Sequence, residues 1–406
     1  MFGLRDAAAE NPGWKCAKKA VLPANISVVI PCFDRTELAL DTVRSVLAQS
    51  TPVREIIVVA NGSNDHAAFW QANSGGIVRV IRVPPLGQQA ARTRGIEAAT
   101  SSWVALLDDD DSYLPNFVES ILPAIEDGRA DVIGTDHRKF RADRVDHQTN
   151  FEAAPFGYWK RIKPRDPNVE WSFVGKFPLQ LLLRRIPFYA SMTVIKRDFA
   201  LEIGGFDPLM RGIRSEDIEF LVRALTYGNL SLVWRPLVHY RLHPGNQSGD
   251  HNARVIGKWR VFEFVRTHHP HLPEDFRQAL DRDLPRRRHD IADLARGSGD
   301  MHLFREVYSQ LRPIYRISGL RPLWVMLTQV VRRLRRARWL VAKVSQRPFG
   351  GAPACSDALP RARPIWSAAE FTEKLWPKAY AWRDGVDRKA GPLPCRPSMS
   401  DKSPHV

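Results

Sequence analysis

Four consecutive carboxylates, Asp108-Asp109-Asp110-Asp111, follow directly on the apolar run Trp103-Val104-Ala105-Leu106-Leu107. Like charges this close repel one another and are costly at a strand end unless a cation compensates. Hard divalent ions take oxygen ligands, and Mg²⁺ usually bridges one or two carboxylates to substrate phosphates. A solvated acidic turn is the plain alternative, but capping a helix that starts near Pro115 needs one Asp, not four. A second acidic element, Ser215-Glu216-Asp217, precedes the apolar helical run Ile218, Phe220, Leu221 and Val222. By itself it is a helix N-terminal signature, acids being favoured at the positive end of the dipole. Gly204-Gly205-Phe206-Asp207 reads as a turn or a helix C-cap. His243 is a lone histidine, a type with many ordinary structural roles.

Such residues act together only if a scaffold gathers them. Ile26–Pro31 reads as a buried strand, and a helical pattern follows at Leu38, Val43, Val46 and Leu47. Glu55–Val59 is a second strand, stopped by the turn-forming Asn61-Gly62-Ser63, and Val78–Val83 is a third. Residues 87–99 read as a helix, Trp103–Leu107 as the fourth strand and 115–127 as a helix. Further strands are expected at Asp131–Gly134 and Leu230–Leu237. Alternating elements with continuously apolar strands predict an α/β fold, a mostly parallel sheet covered by helices on both faces. Ligands of such sheets bind beyond the carboxyl ends of the strands. Cys32-Phe33-Asp34, Asn61-Gly62-Ser63 and Asp108 to Asp111 lie there.

The 406 residues carry a formal net charge of +16, which attracts anions without choosing among nucleic acid, lipid and phosphorylated substrates. Cys16, Cys32, Cys355 and Cys395 are scattered without metal spacing, and Cys32 is expected to be a buried thiol in a reducing compartment. The opening segment lacks the apolar stretch of a signal peptide, and no membrane span is expected. Residues 1–24 read as an irregular leader, 251–345 as a helical basic extension and 346–406 as an irregular tail. Within the extension, Trp324, Leu327, Val331, Leu334 and Val341 recur at helical steps. Arg332, Arg333, Arg335, Arg336, Arg338 and Lys343 add six positive charges without an intervening acid. This basic amphipathic helix over 322–345 suits an anionic membrane surface, packing on the catalytic domain or an oligomer contact. No nucleic-acid motif is present, and nucleic acid is not expected as a partner.

Six blocks between about residues 25 and 250 occur in an order and spacing that resemble family 2, GT-A-fold glycosyltransferases. SVVIPCFDR resembles the family's VSVVIPxYNR, and EIIVVANGSND resembles EIIVVDDGSxD. GQQAARTRGIEAATSSWVALLDDDD resembles the arginine helix and DxD region. GGFDP, SEDIEFLVRA and YRLHPGNQS resemble the family's closing blocks. The resemblance implies a catalytic domain over 25–250, divided into a nucleotide-binding half, 25–114, and an acceptor half, 115–250. The Rossmann-like sheet then carries the helical basic C-terminal extension.

The same resemblance implies a metal-dependent, inverting transfer of a sugar from a nucleotide-sugar donor to a saccharide or lipid-linked acceptor. Bacterial cell-surface polysaccharide or glycolipid synthesis is the expected setting, at a cytoplasmic location, peripheral on the inner face of the plasma membrane. Pro31, Phe33, Asp34, Asn61, Arg92 and Asp108 are then the donor-nucleotide residues. The family's acid pair is here Ala60-Asn61, but an amide still hydrogen-bonds a base edge. Asp110, Asp108 and His243 are the implied ligands of Mn²⁺ or Mg²⁺. Asp111 orients a ligand or the loop, and Asp109 is left to solvent. Asp217 is implied as general base, with Glu216 positioning the acceptor or supporting Asp217. Arg94 is expected on a solvated helix face, and Arg241 is open to a phosphate. Tyr158, Trp159 and Trp171 are either acceptor contacts or core packing. A non-catalytic protein of the same fold, tethered through its basic tail, is the alternative function. A nucleotidyltransferase would carry a glycine-rich loop after the first strand, and none follows Ile30.

Overall fold

The computed structural model describes residues 22–62, 69–70, 78–141, 144–164, 166, 168–243, 246 and 250–311. Ser63, most of the leader, the basic helix 322–345 and the tail 346–406 lie outside the described residues.

Apolar runs without polar alternation build the centre. Strand β1 (Ala24–Cys32) lies between β2 (Val53–Ala60) and β4 (Trp103–Leu106), and β3 (Val78–Arg82) continues beyond β2. All three pairings are parallel, with Val28 opposite Ile56 and Val29 opposite Leu106. Val28, Val29 and Ile30 of β1 and Ile56 to Val59 of β2 are wholly buried, as strands covered on both faces must be. Cys32 is a buried free thiol, and burial pushes its pKa up to about 12.

Helix α1 (Thr36–Leu47) follows β1, and α2 (Gln88–Ala98) packs on β1 and β2. Gly95 sets how near α2 comes. A Cβ there would lie 2.2 Å from Val29 Cγ1 and 3.1 Å from Val59 Cγ2.

The second half of the sheet is mixed. After β4 come β5 (Ser112–Tyr113), α3 (Phe117–Glu126), β6 (Val132–Arg141), β7 (Arg144–Val145) and β8 (Trp171–Gly175). Then follow α4 (Gln180–Arg184), β9 (Thr193–Lys196), α5 (Arg197–Glu202), α6 (Asp217–Tyr227) and β10 (Leu230–Arg241). The strand order is β3-β2-β1-β4-β9-β6-β10-β5. β9 enters antiparallel between β4 and β6, whereas β10 runs parallel to β6. The parallel pairing of the mostly parallel sheet expected from sequence is thus concentrated in β3-β2-β1-β4 and returns at β6–β10.

Strand β10 also pairs with β5, directly after the acid run, placing Val238 opposite Tyr113. Pro236 donates no backbone hydrogen bond, and the β6–β10 register shifts on both sides of it, so the strand bends there. The end of β10 is thereby carried to the acid loop.

Helix α7 (His251–His268) approaches the segment before α6 closely, since a Cβ on Gly257 would lie 2.1 Å from the Arg214 carbonyl oxygen. Helix α8 (Glu274–Ser298) contains Pro285, and the chain divides into two compact units between Leu284 and Pro285. In the second unit, Asp300 accepts from the His302 and Leu303 amides at the start of α9 (Met301–Leu311). Among the described residues no helix is long and apolar enough to cross a membrane.

Gly95→Ala is expected to destabilise the fold. Overpacking costs about 1–3 kcal/mol, partly offset by the roughly 1 kcal/mol that alanine gains in a helix. A urea unfolding midpoint equal to that of the wild type would show that α2 does not depend on this contact.

Candidate active site

The chain leaves β1 toward β2 on one side and returns as β4 on the other, so the carboxyl ends of β1 and β4 flank a topological switch point. The loop after β1 brings Phe33, 54% exposed, Asp34 and Arg35 to this crevice. Asp34 has a φ of 54°, a left-handed conformation uncommon for a residue with a side chain. The acid run after β4 enters from the other side.

Arg35 joins the two loops. Its Nη1 donates to Asp110 Oδ2 at 2.9 Å, its Nε to Asp109 Oδ2 at 3.2 Å, and its Nη2 to Asp109 Oδ1. Asp109 is therefore wholly buried, not turned to solvent as its sequence position suggested. Burial pushes its pKa up to about 7, assisted by Asp110 and Asp108 and opposed by Arg35. Asp111 is also buried. Its Oδ2 accepts from Ser191 Oγ at 2.6 Å and its Oδ1 from the Arg241 amide at 2.9 Å, so it holds the loop. Burial, then the charges of Asp110 and Asp108, raise the Asp111 pKa well above the usual range.

The end of β10 completes this corner. Arg241 donates through Nε to the Asp110 carbonyl oxygen at 2.9 Å, and its guanidinium lies 4.9 Å from the centre of the Phe140 ring. It braces the acid loop in the position where a phosphate contact had been open to it. His243 Nε2 stands 3.1 Å from Asp110 Oδ2. Asn246 Oδ1 accepts from the His243 amide, and Asn246 Nδ2 donates to the Arg241 carbonyl at 2.9 Å, fixing the loop that presents the imidazole.

Arg92 supplies the second cationic bridge. From α2 its Nη2 donates to Asp108 Oδ1 at 2.7 Å and its Nη1 to Glu216 Oε1 at 2.8 Å. It is 2% exposed, with its guanidinium 5.2 Å from the centre of the Phe206 ring. Both terminal nitrogens of Arg92, expected from sequence to approach the donor, are engaged by carboxylates, and the side chain is buried. Gln88 Nε2 also donates to Asp108 Oδ1, at 3.2 Å.

Glu216 and Asp217 open α6 behind Ser215, which has a φ of 66°. Asp217 is half-buried and lines an apolar-walled pocket with Leu106, Tyr189, Phe206 and Phe220. Burial and then the neighbouring Glu216 push its pKa up to about 7, against the pull of Arg92 and a hydrogen bond from the Ala190 amide.

At the end of β2, the Asn61 amide donates to the Cys32 carbonyl at 3.0 Å. Asn61 is 2% exposed, and its Oδ1 is a buried acceptor without a partner among the described residues. A Cβ on Gly62 would lie 2.0 Å from Asp34 Oδ1, so glycine permits the two loops to meet. Pro31 is buried within β1, one residue before Cys32 ends the strand.

Among the described residues no group of three or more His, Cys, Asp or Glu is arranged to hold an ion. Asp108 is turned to Arg92 and Gln88, leaving Asp110 and His243 together as two of the three expected ligands. Two such groups fit a hard cation that retains waters and takes its remaining oxygens from substrate phosphates.

The other expected residues are also placed. Arg94 forms an exposed pair with Glu97. Gly204 and Gly205, with φ of 89° and 62°, end α5, their amides donating to the Leu201 and Ala200 carbonyls. Trp159 packs with Tyr158, Phe151 and Trp234, the core alternative for these aromatics, and Trp171 lies in β8. Sequence reasoning missed Arg35, although it stands beside Asp34. Ser191 and Gln88 carry no signal in the local pattern.

Residues 27–186 match the model of glycosyl transferase family 2. An uncharacterized glycosyltransferase of Haemophilus influenzae is 24% identical over 256 residues, covering 62% of this chain and 79% of its own. The amylovoran biosynthesis glycosyltransferase AmsB of Erwinia amylovora is 27% identical over 258 residues, 61% of this chain and 79% of that one. Among solved structures, TarS of S. aureus in complex with UDP-GlcNAc is similar at 13% identity and a TM-score of 0.49, over 72% of this chain and 93% of that chain.

Arg92→Met should leave Asp108 and Glu216 without their shared cation and destabilise the protein by about 3–5 kcal/mol in chemical denaturation. Adding Glu216→Gln should recover part of that loss. Additive losses in the double variant would show that the bridge does not couple them.

Proposed function

We propose that this chain, a glycosyltransferase whose residues 27–186 match the model of glycosyl transferase family 2, transfers a sugar from a nucleotide-sugar donor to an acceptor hydroxyl with inversion. Its proposed setting is the synthesis of a cell-surface polysaccharide or glycolipid. One observation carries this reading: a half-buried carboxylate with a raised pKa, Asp217, is joined through Glu216 and Arg92 to the acid run at the switch point.

The nucleotide base lies at the ends of β1 and β2 in this reading. Exposed Phe33 offers a ring face, and Asn61 Oδ1 offers an acceptor for a ring N–H, which uracil, thymine and guanine all possess. Asp108, held by Arg92 and Gln88, faces the ribose. Asp110 and His243 would hold Mn²⁺ or Mg²⁺. Such an ion, when bound, stabilises negative charge on a departing diphosphate.

Asp217 accepts the proton of the acceptor hydroxyl as its oxygen forms a bond to the anomeric carbon. The bond from that carbon to the diphosphate oxygen breaks, and its electron pair leaves with the nucleotide diphosphate. A base opposite the leaving group inverts the anomeric centre. Glu216 contributes through electrostatics: its charge raises the Asp217 pKa and so makes Asp217 a stronger base near neutral pH. The apolar wall of Leu106, Phe206 and Phe220 limits water around the base. For residues 322–345 the proposed role is attachment to an anionic membrane surface.

Thermal shift with UDP, dTDP and GDP, each with and without Mn²⁺, tests the donor site, since a ligand of the native state raises apparent stability. Asp110→Ala should abolish the Mn²⁺-dependent part, and no such part in the wild type would sink the metal assignment. Asp217→Asn should keep donor binding and lower turnover by orders of magnitude. Because only the ionised carboxylate accepts a proton, kcat/KM should rise with pH to a plateau above about 7. A flat profile from roughly pH 5 to 9 would match an ordinary aspartate pKa near 3.9 and exclude this role. Deleting 322–345 should reduce co-sedimentation with anionic liposomes; unchanged co-sedimentation would dismiss membrane attachment through that segment.

A further inference from the structure

A second, polar pocket of about 290 Å³ opens beside β6, walled by β6, the loop after β7 and Arg185. Its size is near the lower end of small-molecule sites, roughly 300–1,000 Å³. The loop is firmly built. The Asp146 amide donates to the Lys139 carbonyl at 2.8 Å, and the Asn150 amide to the His137 carbonyl at 3.0 Å. Asp136 Oδ1 accepts from the His137 amide at 2.7 Å and the Phe151 amide at 3.0 Å, while Glu152 Oε2 accepts from the Thr149 amide at 2.8 Å. The nearby acids Asp136 and Glu152 are thus engaged in holding the loop.

The pocket lining is rich in donors. His137 is 1% exposed, and its Nδ1 has no hydrogen-bond partner among the described residues. Arg185 Nη2 donates to Asn150 Oδ1, but Arg185 Nε is buried and likewise unpartnered. Two unmet nitrogens at one pocket are costly unless a ligand or water satisfies them. Burial, with Lys139 and Arg185 nearby, lowers the His137 pKa to about 3, so the ring is neutral, with one N–H to donate. Lys139, Arg144 and Arg185 bring three positive charges against one carboxylate, Asp146. That excess matches a phosphate ester, which carries about −1.5 to −2 at neutral pH, better than a single carboxylate.

The pocket also borders the reaction site. The His137 ring lies 6.1 Å, centre to centre, from Tyr189, and Tyr189 lines the Asp217 pocket. We propose that the pocket formed by His137, Lys139, Arg144 and Arg185 binds a phosphate group of the acceptor. The acceptor role rests on the sugar-transfer reading; the phosphate site rests on the pocket alone.

The experiment titrates the full chain with glucose 1-phosphate and, separately, glucuronate, with UDP binding measured on the same samples. Wild type should bind glucose 1-phosphate more tightly than glucuronate. Lys139→Glu, at an exposed position, and Arg185→Gln should each weaken it by about tenfold or more, with UDP binding and the melting temperature of Lys139→Glu unchanged. Asp110→Ala should leave glucose 1-phosphate binding intact. In a second arm, monomeric short-chain phosphatidic acid and phosphatidylcholine of the same chain length, which offer no membrane surface to residues 322–345, distinguish the source of the phosphate. Binding of the phosphatidic acid but not the phosphatidylcholine, lost in Lys139→Glu and tighter than glucose 1-phosphate, assigns it to a lipid, whereas glucose 1-phosphate binding alone assigns it to a soluble sugar phosphate. No phosphate binding in either arm, equal binding by wild type and Lys139→Glu, tighter glucuronate binding, or loss in Asp110→Ala overturns the site. If UDP, dTDP and GDP all fail to bind the wild type, the acceptor role falls with the transfer reading, while the titration still decides whether the pocket holds phosphate.

Discussion

Six carboxylates converge beyond the carboxyl end of β4, and two arginines make that arrangement tolerable. Burial raises the pKa values of Asp109, Asp111 and Asp217, and the charges of neighbouring carboxylates among Asp108, Asp110 and Glu216 add to the rise. Two like charges 4 Å apart repel by about 4 kcal/mol at an effective dielectric constant of 20. Arg35 answers for Asp109 and Asp110, and Arg92 for Asp108 and Glu216. Each arginine joins segments far apart in the chain, so charge compensation also fixes the relative placement of β1, β4, α2 and α6.

This division of labour separates groups with a structural duty from groups left for chemistry. Asp109 and Asp111 spend their oxygens on Arg35, Ser191 and the Arg241 amide. Asp110 meets His243 as well as Arg35. Asp217 takes an amide hydrogen bond from Ala190 and feels Arg92, yet burial and Glu216 outweigh both and keep its pKa near neutrality. A carboxylate with that balance is a stronger base than an exposed aspartate.

The mixed half of the sheet serves the same end. Helix α2 approaches β1 closely at Gly95, and Gly205 comes so near Thr93 of α2 that a Cβ would lie 2.8 Å from its side chain. The Phe206 amide donates to Thr93 Oγ1 at 2.9 Å, and Arg223 Nη2 donates to the Gly205 carbonyl at 2.7 Å. These contacts tie the turn before α6 to the helix bearing Arg92. On the opposite flank, β10 pairs with β5 and delivers Arg241 and His243 to the acid loop. The polar pocket beside β6 lies on this flank as well, separated from Asp217 by Tyr189 and His137.

Local pattern in the chain was enough for β1, β2, β3, β4, β6 and β10, the main helices and the identity of the acid loop, but not for the short strands β5, β7, β8 and β9. Val28 to Ile30 and Ile56 to Val59 are apolar without alternation because both faces are covered, and that signal survives in one dimension. Glu216-Asp217 at a helix start and Gly204-Gly205 at a helix end were legible for the same reason: dipole and backbone conformation act within a few residues. Partner choice was not legible. Arg92 and Glu216 stand 124 positions apart, Arg35 and Asp110 75 apart, and Ser191 and Asp111 80 apart. Which carboxylate is neutralised, which is buried and which is left to react depends on folding distant segments into one crevice, because desolvation and Coulomb forces act through space and leave no periodic trace along the chain.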